Sequence, residues 1–406
     1  MLNDNEIIII GAGPVGLVTA LGLAGLGIPV LVIEKNSEDV PSQWRGSTIH
    51  PPTLEIFDSI GLADRIIAGA IKVDVLQYRD LEIDKVINFD YKVLNNLVRF
   101  PFRLQYEQYK VLKLLRETAN NHSKIEVVYN SEVISVKQNE DTVSVKIRNS
   151  DKDIEANGKF LIGADGSHSV VRKSLGIELD GFTYPFPTTV VATHFDFKKY
   201  IPDLAPVSYW SGPNGRLSII KTPDIWRVAM TTPLVNVDLS TDDRGTIAEP
   251  TSDFQAAITQ LLALIPGATL AHLELKQYEV YRSHQRIARQ FSSGRIALAG
   301  DAAHLTTTNG GMGLNSGVQD AGLLISTIHM SIVNNSPAGL AEYSRARQEF
   351  CANFLQPTTT SNHQTVDDPA LSAREVRLDK LQRSSRNQQE VLSIVSRASM
   401  LSELVL

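Results

Sequence analysis

Cysteine is almost missing from this chain: Cys351 is the only one in 406 residues. That excludes a disulfide framework and any Cys-rich metal or iron–sulfur centre. It also fits a reducing compartment, so a cytoplasmic location is expected. No Lys/Arg-rich tract occurs and the net charge is −6, which argues against a nucleic-acid partner. The nine histidines are scattered without His-Glu-x-x-His spacing, so no metal site is indicated. Ser167 and Ser169 lie outside any nucleophile-elbow pattern, which argues against a hydrolase. The first six residues carry two acids and no base, unlike a signal peptide. Residues 7–33 are mostly apolar, but six glycines and two prolines punctuate them, so no transmembrane segment is expected. There is no internal repeat and no extended low-complexity segment.

What remains is ordinary globular composition, 43% apolar and 21% charged, at a length that suits two or three domains. The spacing predicts a buried strand over Glu6–Ile10, a helix over Pro14–Leu26 and a second buried strand over Pro29–Ile33. Helices follow at Pro52–Ile60 and Glu107–Asn120, and a hairpin at Glu132–Val136 and Thr142–Ile147. Buried strands recur at Lys159–Ala164 and Arg295–Ala299, and helices at Asn315–Asn334 and Ala338–Phe354. Residues 71–106 and 178–284 differ, with short strand-like stretches between Pro- and Gly-rich turns. The expectation is an α/β protein. Segments 1–70, 107–177 and 285–345 form a Rossmann-like nucleotide-binding domain with a parallel sheet. Segments 71–106 and 178–284 form a mostly β substrate domain, and 346–406 a C-terminal helical segment.

Three separated motifs carry the chemistry. The first is Gly11-Ala12-Gly13-Pro14-Val15-Gly16, which follows a strand and opens a helix. Gly11 permits the tight turn, Gly13 lets the backbone approach a pyrophosphate, and Gly16 lets the helix pack close to the strand. The helix N-terminus offers free N–H groups and positive dipole to phosphates. Glu34 ends the second strand, followed by Lys35, and its carboxylate can accept from ribose hydroxyls. This unit alone does not separate NAD from FAD. The second motif runs from Gly294 to His304 and on through Gly310-Gly311-Met312-Gly313-Leu314-Asn315. Asp301, at the end of its strand, is placed to bond a polyol such as ribitol. The N–H groups around Gly313, Leu314 and Asn315 would stabilise negative charge on a reduced isoalloxazine. An NAD enzyme has no need of this second site. The third motif is Gly163-Ala164-Asp165-Gly166-Ser167-His168-Ser169, with Arg172 after it; alone it reads as a turn before an N-capped helix.

In this order and spacing the three motifs resemble the single-component FAD-dependent aromatic hydroxylases. That is the family of para-hydroxybenzoate hydroxylase, phenol hydroxylase and the ubiquinone-biosynthesis hydroxylases, and the similarity covers residues 5 to about 350. The resemblance implies FAD as cofactor and NAD(P)H and O₂ as co-substrates. It implies hydroxylation of a phenolic or polycyclic aromatic molecule through a flavin C4a-hydroperoxide. It adds Arg45 near the FAD pyrophosphate and ribitol, and Gln108 as an FAD contact at the start of a helix. It places Asp165 and Gly166 near the pyrophosphate and ties them to NAD(P)H use. The absence of a second Gly-rich βαβ unit for NAD(P)H suits that family. One departure is clear: many members carry a proline pair where this chain has Thr306-Thr307-Thr308-Asn309, beside the flavin.

No residue declares itself as the base that would deprotonate a phenol. His194, Tyr209, Trp210, Arg216, Trp226 and Tyr281 are candidates for the pocket lining, as are Thr308 and His50. His304 reads as structural, and Cys351 lacks a paired His. Alternatives on the same fold are a non-oxygenating flavin reductase or dehydrogenase, and a non-catalytic FAD-binding protein. A flavin halogenase would carry a Trp-x-Trp-x-Ile-Pro segment, which is missing. Monomer and homodimer both stay open, as does the role of the last fifty residues.

Overall fold

The computed structural model describes residues 6–42, 46–149, 152–185, 188–213, 215–231, 258–259, 261–265, 267–364 and 370–401. Its centre is a six-stranded sheet. In spatial order the strands are Ser292–Ser293, Ile296–Leu298, Phe160–Gly163, Ile7–Ile10, Val30–Ile33 and Ile125–Val128. Every pairing in it is parallel except that of the first two strands. Ile7 to Ile10 and Val30 to Ile33 are wholly buried, as continuous β-branched runs require in a sheet covered on both faces. Helices Pro14–Gly25 and Met312–Val333 pack together on one face of this domain. An antiparallel meander of Ser131–Gln138, Val143–Asn149 and Lys152–Gly158 stands beside the sheet. The sequence pattern anticipates the first two strands of that meander as a hairpin and misses the third.

The two insertions meet in one seven-stranded sheet. Its order is Leu275–Tyr281, Thr188–Thr193, Trp226–Thr231, Gly215–Lys221, Val207–Gly212, Val75–Asp80 and Val86–Asp90. A parallel pairing of Val75–Asp80 with Val207–Gly212, Tyr209 opposite Tyr78, joins the two segments. The α/β class with a β-rich insertion is therefore the observed architecture.

The C-terminal residues fold back onto this sheet. Helices Leu371–Ser384 and Gln388–Ala398 place Leu378 and Val395 in a small core with Leu76, Ile87, Phe89 and Tyr91. Arg374 fastens the first of these helices. Its side chain is almost fully buried and pairs with Asp80 at 2.6 Å and with Glu82. Among the described residues no helix is long and apolar enough to cross a membrane.

Candidate active site

Both glycine-rich loops open onto one cavity of about 1450 Å³ between the two sheets. Ligand pockets for drug-sized molecules span roughly 300–1,000 Å³, so this one has room for a large cofactor and a second molecule. Gly11 has φ +105°, and a Cβ there would overlap the Ala164 carbonyl oxygen of the neighbouring strand end. A Cβ on Gly16 would overlap the Gly11 carbonyl oxygen, so helix and turn touch backbone to backbone. Gly13 is the N-cap of helix Pro14–Gly25, and a Cβ there would meet nothing within 4 Å. This open side faces the cavity together with Pro14 and Val15, where free helix N–H groups suit a phosphate.

Glu34 is buried and lies outside the cavity lining. Its Oε2 accepts from the Ala12 N–H at 2.8 Å, and its Oε1 from the backbone and side-chain N–H of Asn36. The carboxylate thus holds the glycine turn in place. Lys35 is exposed and away from the cavity. Arg45 lies outside the described residues.

The second loop is set by a buried ionic cluster. Asp320, wholly buried on helix Met312–Val333, accepts from the Gly300 N–H at 2.8 Å, His304 Nε2 at 2.8 Å and Arg347 Nε at 2.5 Å. Burial would raise its pKa, but the Arg347 and His304 charges outweigh it and hold the carboxyl below its usual range. His304 is accordingly structural, stacked on Phe291 with ring centres 5.9 Å apart. Asp301, one residue beyond the anchored Gly300, is exposed and lines the cavity. Gly311, Met312, Gly313 and Leu314 line it too. Asn315 does not: its Oδ1 accepts from the His50 N–H at 2.8 Å, and its Nδ2 donates to Thr48 and Gly311 carbonyls.

At the third motif Gly166, with φ +81°, faces the cavity, as does Gln108 at the start of its helix. Asp165 does not. Its carboxylate accepts from Ser169 Oγ at 2.6 Å and from the Val170 and Val171 N–H groups, capping the short helix Val170–Ser174.

Of the pocket candidates, Tyr209, Trp210, Arg216, Tyr281 and Thr308 are brought together on the cavity. Trp210 is shared with the sheet's core, under the Arg79 guanidinium at 5.2 Å. Tyr281 Oη donates to Thr308 Oγ1 at 3.0 Å, so a pair of hydroxyls faces the cavity at the Thr306–Asn309 stretch. Three candidates are misplaced. His50 is fully buried as the N-cap before Pro51-Pro52, with Nε2 on the Gly310 carbonyl at 2.9 Å. Burial and then the Arg103 charge push its pKa down to about 3, so the imidazole is neutral and its Nε2–H donates. His194 is exposed just past strand Thr188–Thr193, away from the cavity. Trp226 lies in the core of the seven-stranded sheet, edge-on to Phe197 at 5.5 Å.

Several cavity residues carry no motif in the sequence: Arg103, Tyr78 and Leu76 from the first insertion, His284, and Leu378 and Leu381 from the C-terminal helices. His284 Nδ1 lies 2.8 Å from Thr183 Oγ1. Arg103 and Gln105 alternate in strand Arg103–Gln105, which puts both on one face. That alternation of polar residues in a buried stretch is the signal that could have flagged them.

Two glycine loops converging on one large cavity, with an exposed carboxylate just past a strand end, define a flavin-nucleotide-binding protein with an inserted β-sheet. The chain belongs to the FAD binding domain family, whose model matches residues 4–358, and within it to the aromatic flavin monooxygenases. It is 30% identical over 378 residues to para-nitrophenol 4-monooxygenase of Pseudomonas sp. (strain WBC-3), covering 91% of this chain and 89% of the relative. It is 31% identical over 365 residues to a 6-hydroxy-3-succinoylpyridine 3-monooxygenase of Pseudomonas putida, covering 89% of each. The crystal structure of p-nitrophenol 4-monooxygenase from Pseudomonas putida DLL-E4 superposes with a TM-score of 0.87 at 25% identity, over 99% of this chain and 98% of that one. The chain is thus an FAD-dependent oxidoreductase.

Proposed function

We propose that this protein uses NAD(P)H and O₂ to hydroxylate a phenolic or polycyclic aromatic small molecule. The observation that carries this reading is the cavity itself: both glycine loops open on one side of it and an aromatic-bearing sheet forms the other. The kinship with aromatic monooxygenases supports it.

In this reading the Pro14–Gly25 helix N-terminus and the Gly13 backbone hold the FAD pyrophosphate. Glu34 serves the nucleotide by holding the glycine turn through Ala12. Asp301 accepts from ribitol, Gln108 contacts the cofactor from the opposite side, and the Gly311–Leu314 backbone faces the flavin ring. Arg45, Asp165 and Gly166 keep the roles that the family resemblance implies, Asp165 by shaping the Gly166 turn. Bound FAD supplies the redox and oxygen-transfer chemistry. The protein orients the ring on the sheet bearing Tyr209 and Tyr281, and keeps water out with Leu76, Leu378 and Leu381. Segments 71–106 and 178–284 serve as the substrate domain, and the C-terminal helices as its cover.

The threonine and tyrosine hydroxyls at Thr308 and Tyr281 favour one second reading, a reductase or dehydrogenase that inserts no oxygen. The two separate in one assay: NADH or NADPH oxidation in air by FAD-loaded protein, with and without phenols and polycyclic aromatics, with peroxide counted and products weighed. A product heavier by one oxygen atom supports the hydroxylase. Stimulated oxidation that yields only peroxide, or no stimulation by any compound, rejects it.

A further inference from the structure

The second glycine motif carries three consecutive threonines, and their hydroxyls face different ways. Thr306 Oγ1 shares its proton between Thr359 Oγ1 at 2.9 Å and Gln285 Oε1 at 3.3 Å, both buried. Thr307 is wholly buried, and its oxygen accepts from the Asn309 N–H at 3.2 Å. Thr308 is exposed on the cavity wall. Its carbonyl accepts from the Gly311 N–H at 3.1 Å, which closes a turn onto Gly311 at φ +69°. Thr308 is therefore held with the glycine turn that opens helix Met312–Val333.

Among the described residues, the Thr308 hydroxyl has one partner, the Tyr281 hydroxyl at 3.0 Å. A phenol, with a pKa of about 10, is the stronger acid of the two, and the alcohol oxygen is the better acceptor. Tyr281 therefore gives its proton to Thr308 Oγ1. A threonine hydroxyl has one proton of its own besides its lone pairs. No described residue accepts the proton of Thr308. Accepting from Tyr281 also strengthens Thr308 as a donor, by roughly 10–30%. Tyr281 ends strand Leu275–Tyr281 and is paired with Thr188, so the seven-stranded sheet fixes the direction from which Thr308 is approached. A strengthened donor thus stands on the cavity wall in the same turn as Gly311, whose backbone the proposed function sets against the flavin ring.

We propose that Thr308 donates a hydrogen bond to the isoalloxazine of bound FAD, at an acceptor atom that gains negative charge on reduction, and that Tyr281 acts through Thr308 as a positioning residue. The pair thereby raises the reduction potential of the cofactor. The inference deepens the proposed function and rests on its placement of the flavin ring, which the hydroxylase and reductase readings share.

The test is the midpoint potential of the bound flavin, at equilibrium with a reference dye and without NAD(P)H, O₂ or aromatic ligand. Thr308→Val keeps the shape and removes the hydroxyl. Losing a hydrogen bond to a charged acceptor should shift the ratio of reduced to oxidised flavin about tenfold to a hundredfold, which lowers the potential by roughly 30–60 mV for two electrons. Thr308→Ser should stay within about 10 mV of wild type, a twofold change in that ratio. Tyr281→Phe should lower the potential by a smaller step, about twofold to tenfold in the ratio, since it removes a bond between neutral groups. Thr308→Val and Tyr281→Phe together should match Thr308→Val alone, because Tyr281 then has nothing to act through. A tyrosine that only packs there would give an additive shift or none, and either result overturns its positioning role. A Thr308→Val potential within about 10 mV of wild type overturns the contact; that is also the outcome if Thr308 serves the aromatic ligand instead. Tyr281→Phe leaves the glycine loop intact, so it carries the test if Thr308→Val retains no flavin, and its potential must fall. A lowered potential in Thr308→Val from a protein that never oxygenates an aromatic upholds the contact and sinks the hydroxylase reading. An unchanged potential in a protein that hydroxylates its substrate does the reverse.

Discussion

Asp320→Asn should damage this protein more than any single change at the cavity surface. The carboxylate is wholly buried and serves three donors: the Gly300 N–H, His304 Nε2 and Arg347 Nε. An asparagine of the same shape offers one oxygen and one NH₂ group. Its oxygen can serve either the Gly300–His304 side or Arg347, and the NH₂ then faces a donor on the other. Arg347, only 9% exposed at its side chain, keeps weak contacts to Ser316 at 3.2 and 3.3 Å. Breaking a buried ion pair at one partner typically costs about 3–5 kcal/mol. Against a global stability of roughly 5–15 kcal/mol that is a large fraction. The assay is urea unfolding of flavin-free protein, because bound FAD would add its own linkage and mask the effect. Replacing Asp320 and Arg347 together by Leu and Met should recover part of the loss. It should stay roughly 1–3 kcal/mol short of wild type, since the Gly300 N–H still lacks an acceptor. Flavin-free Asp320→Asn within about 1 kcal/mol of wild type would refute the reasoning, because a buried ionic cluster cannot lose its centre so cheaply.

Other consequences are as specific. His50 is neutral when folded, with a pKa near 3 against an ordinary 6.5. The unfolded chain therefore binds more protons between those values, and stability falls as pH drops through that window. From pH 7 to pH 5 His50 accounts for a loss of about 2 kcal/mol; unfolding of His50→Gln at both pH values should show that much less pH dependence. Asp301→Ala should strip FAD while shifting flavin-free stability by no more than about 0.5 kcal/mol, as an exposed side chain allows; a variant purified with its full flavin complement would displace the ribitol site. Gly16→Ala must push helix and turn apart and should yield protein that binds little FAD, seen in the flavin-to-protein absorbance ratio.

The nucleotide half was legible in the sequence because its signals are local. A β-branched run, three glycines at fixed spacing and an acid at the next strand end each describe their own neighbourhood. The glycine readings carry straight into geometry, with Gly11 and Gly16 in backbone contact and Gly13 open. The Met312–Val333 helix begins three residues earlier than Asn315, because Gly311 at φ +69° is its N-cap and Met312 its first residue. Side-chain roles were harder to read. Glu34, Asp165 and Asn315 carry the right motif positions, yet each spends its hydrogen bonds holding protein backbone. His50 and Trp226 were misplaced because exposure depends on what packs against a segment, and no local pattern records that. Arg103 escaped notice for the same reason in reverse: beyond its alternation with Gln105, a charged side chain reads as surface until the tertiary fold closes Tyr91, Tyr209 and the C-terminal helices around it. The third meander strand, Lys152–Gly158, has only Ile154 and Ala156 as apolar markers, too few for alternation to stand out.

The most direct test of the central claim is a single turnover experiment in isotopically labelled dioxygen, with FAD-loaded protein, NAD(P)H and the aromatic compound that most strongly stimulates its oxidation. The product should carry one labelled oxygen atom on the ring, with one NAD(P)H consumed for each. A product whose new oxygen comes from water, or one with no new oxygen at all, would contradict the hydroxylase account and leave the flavin site in the service of another oxidation.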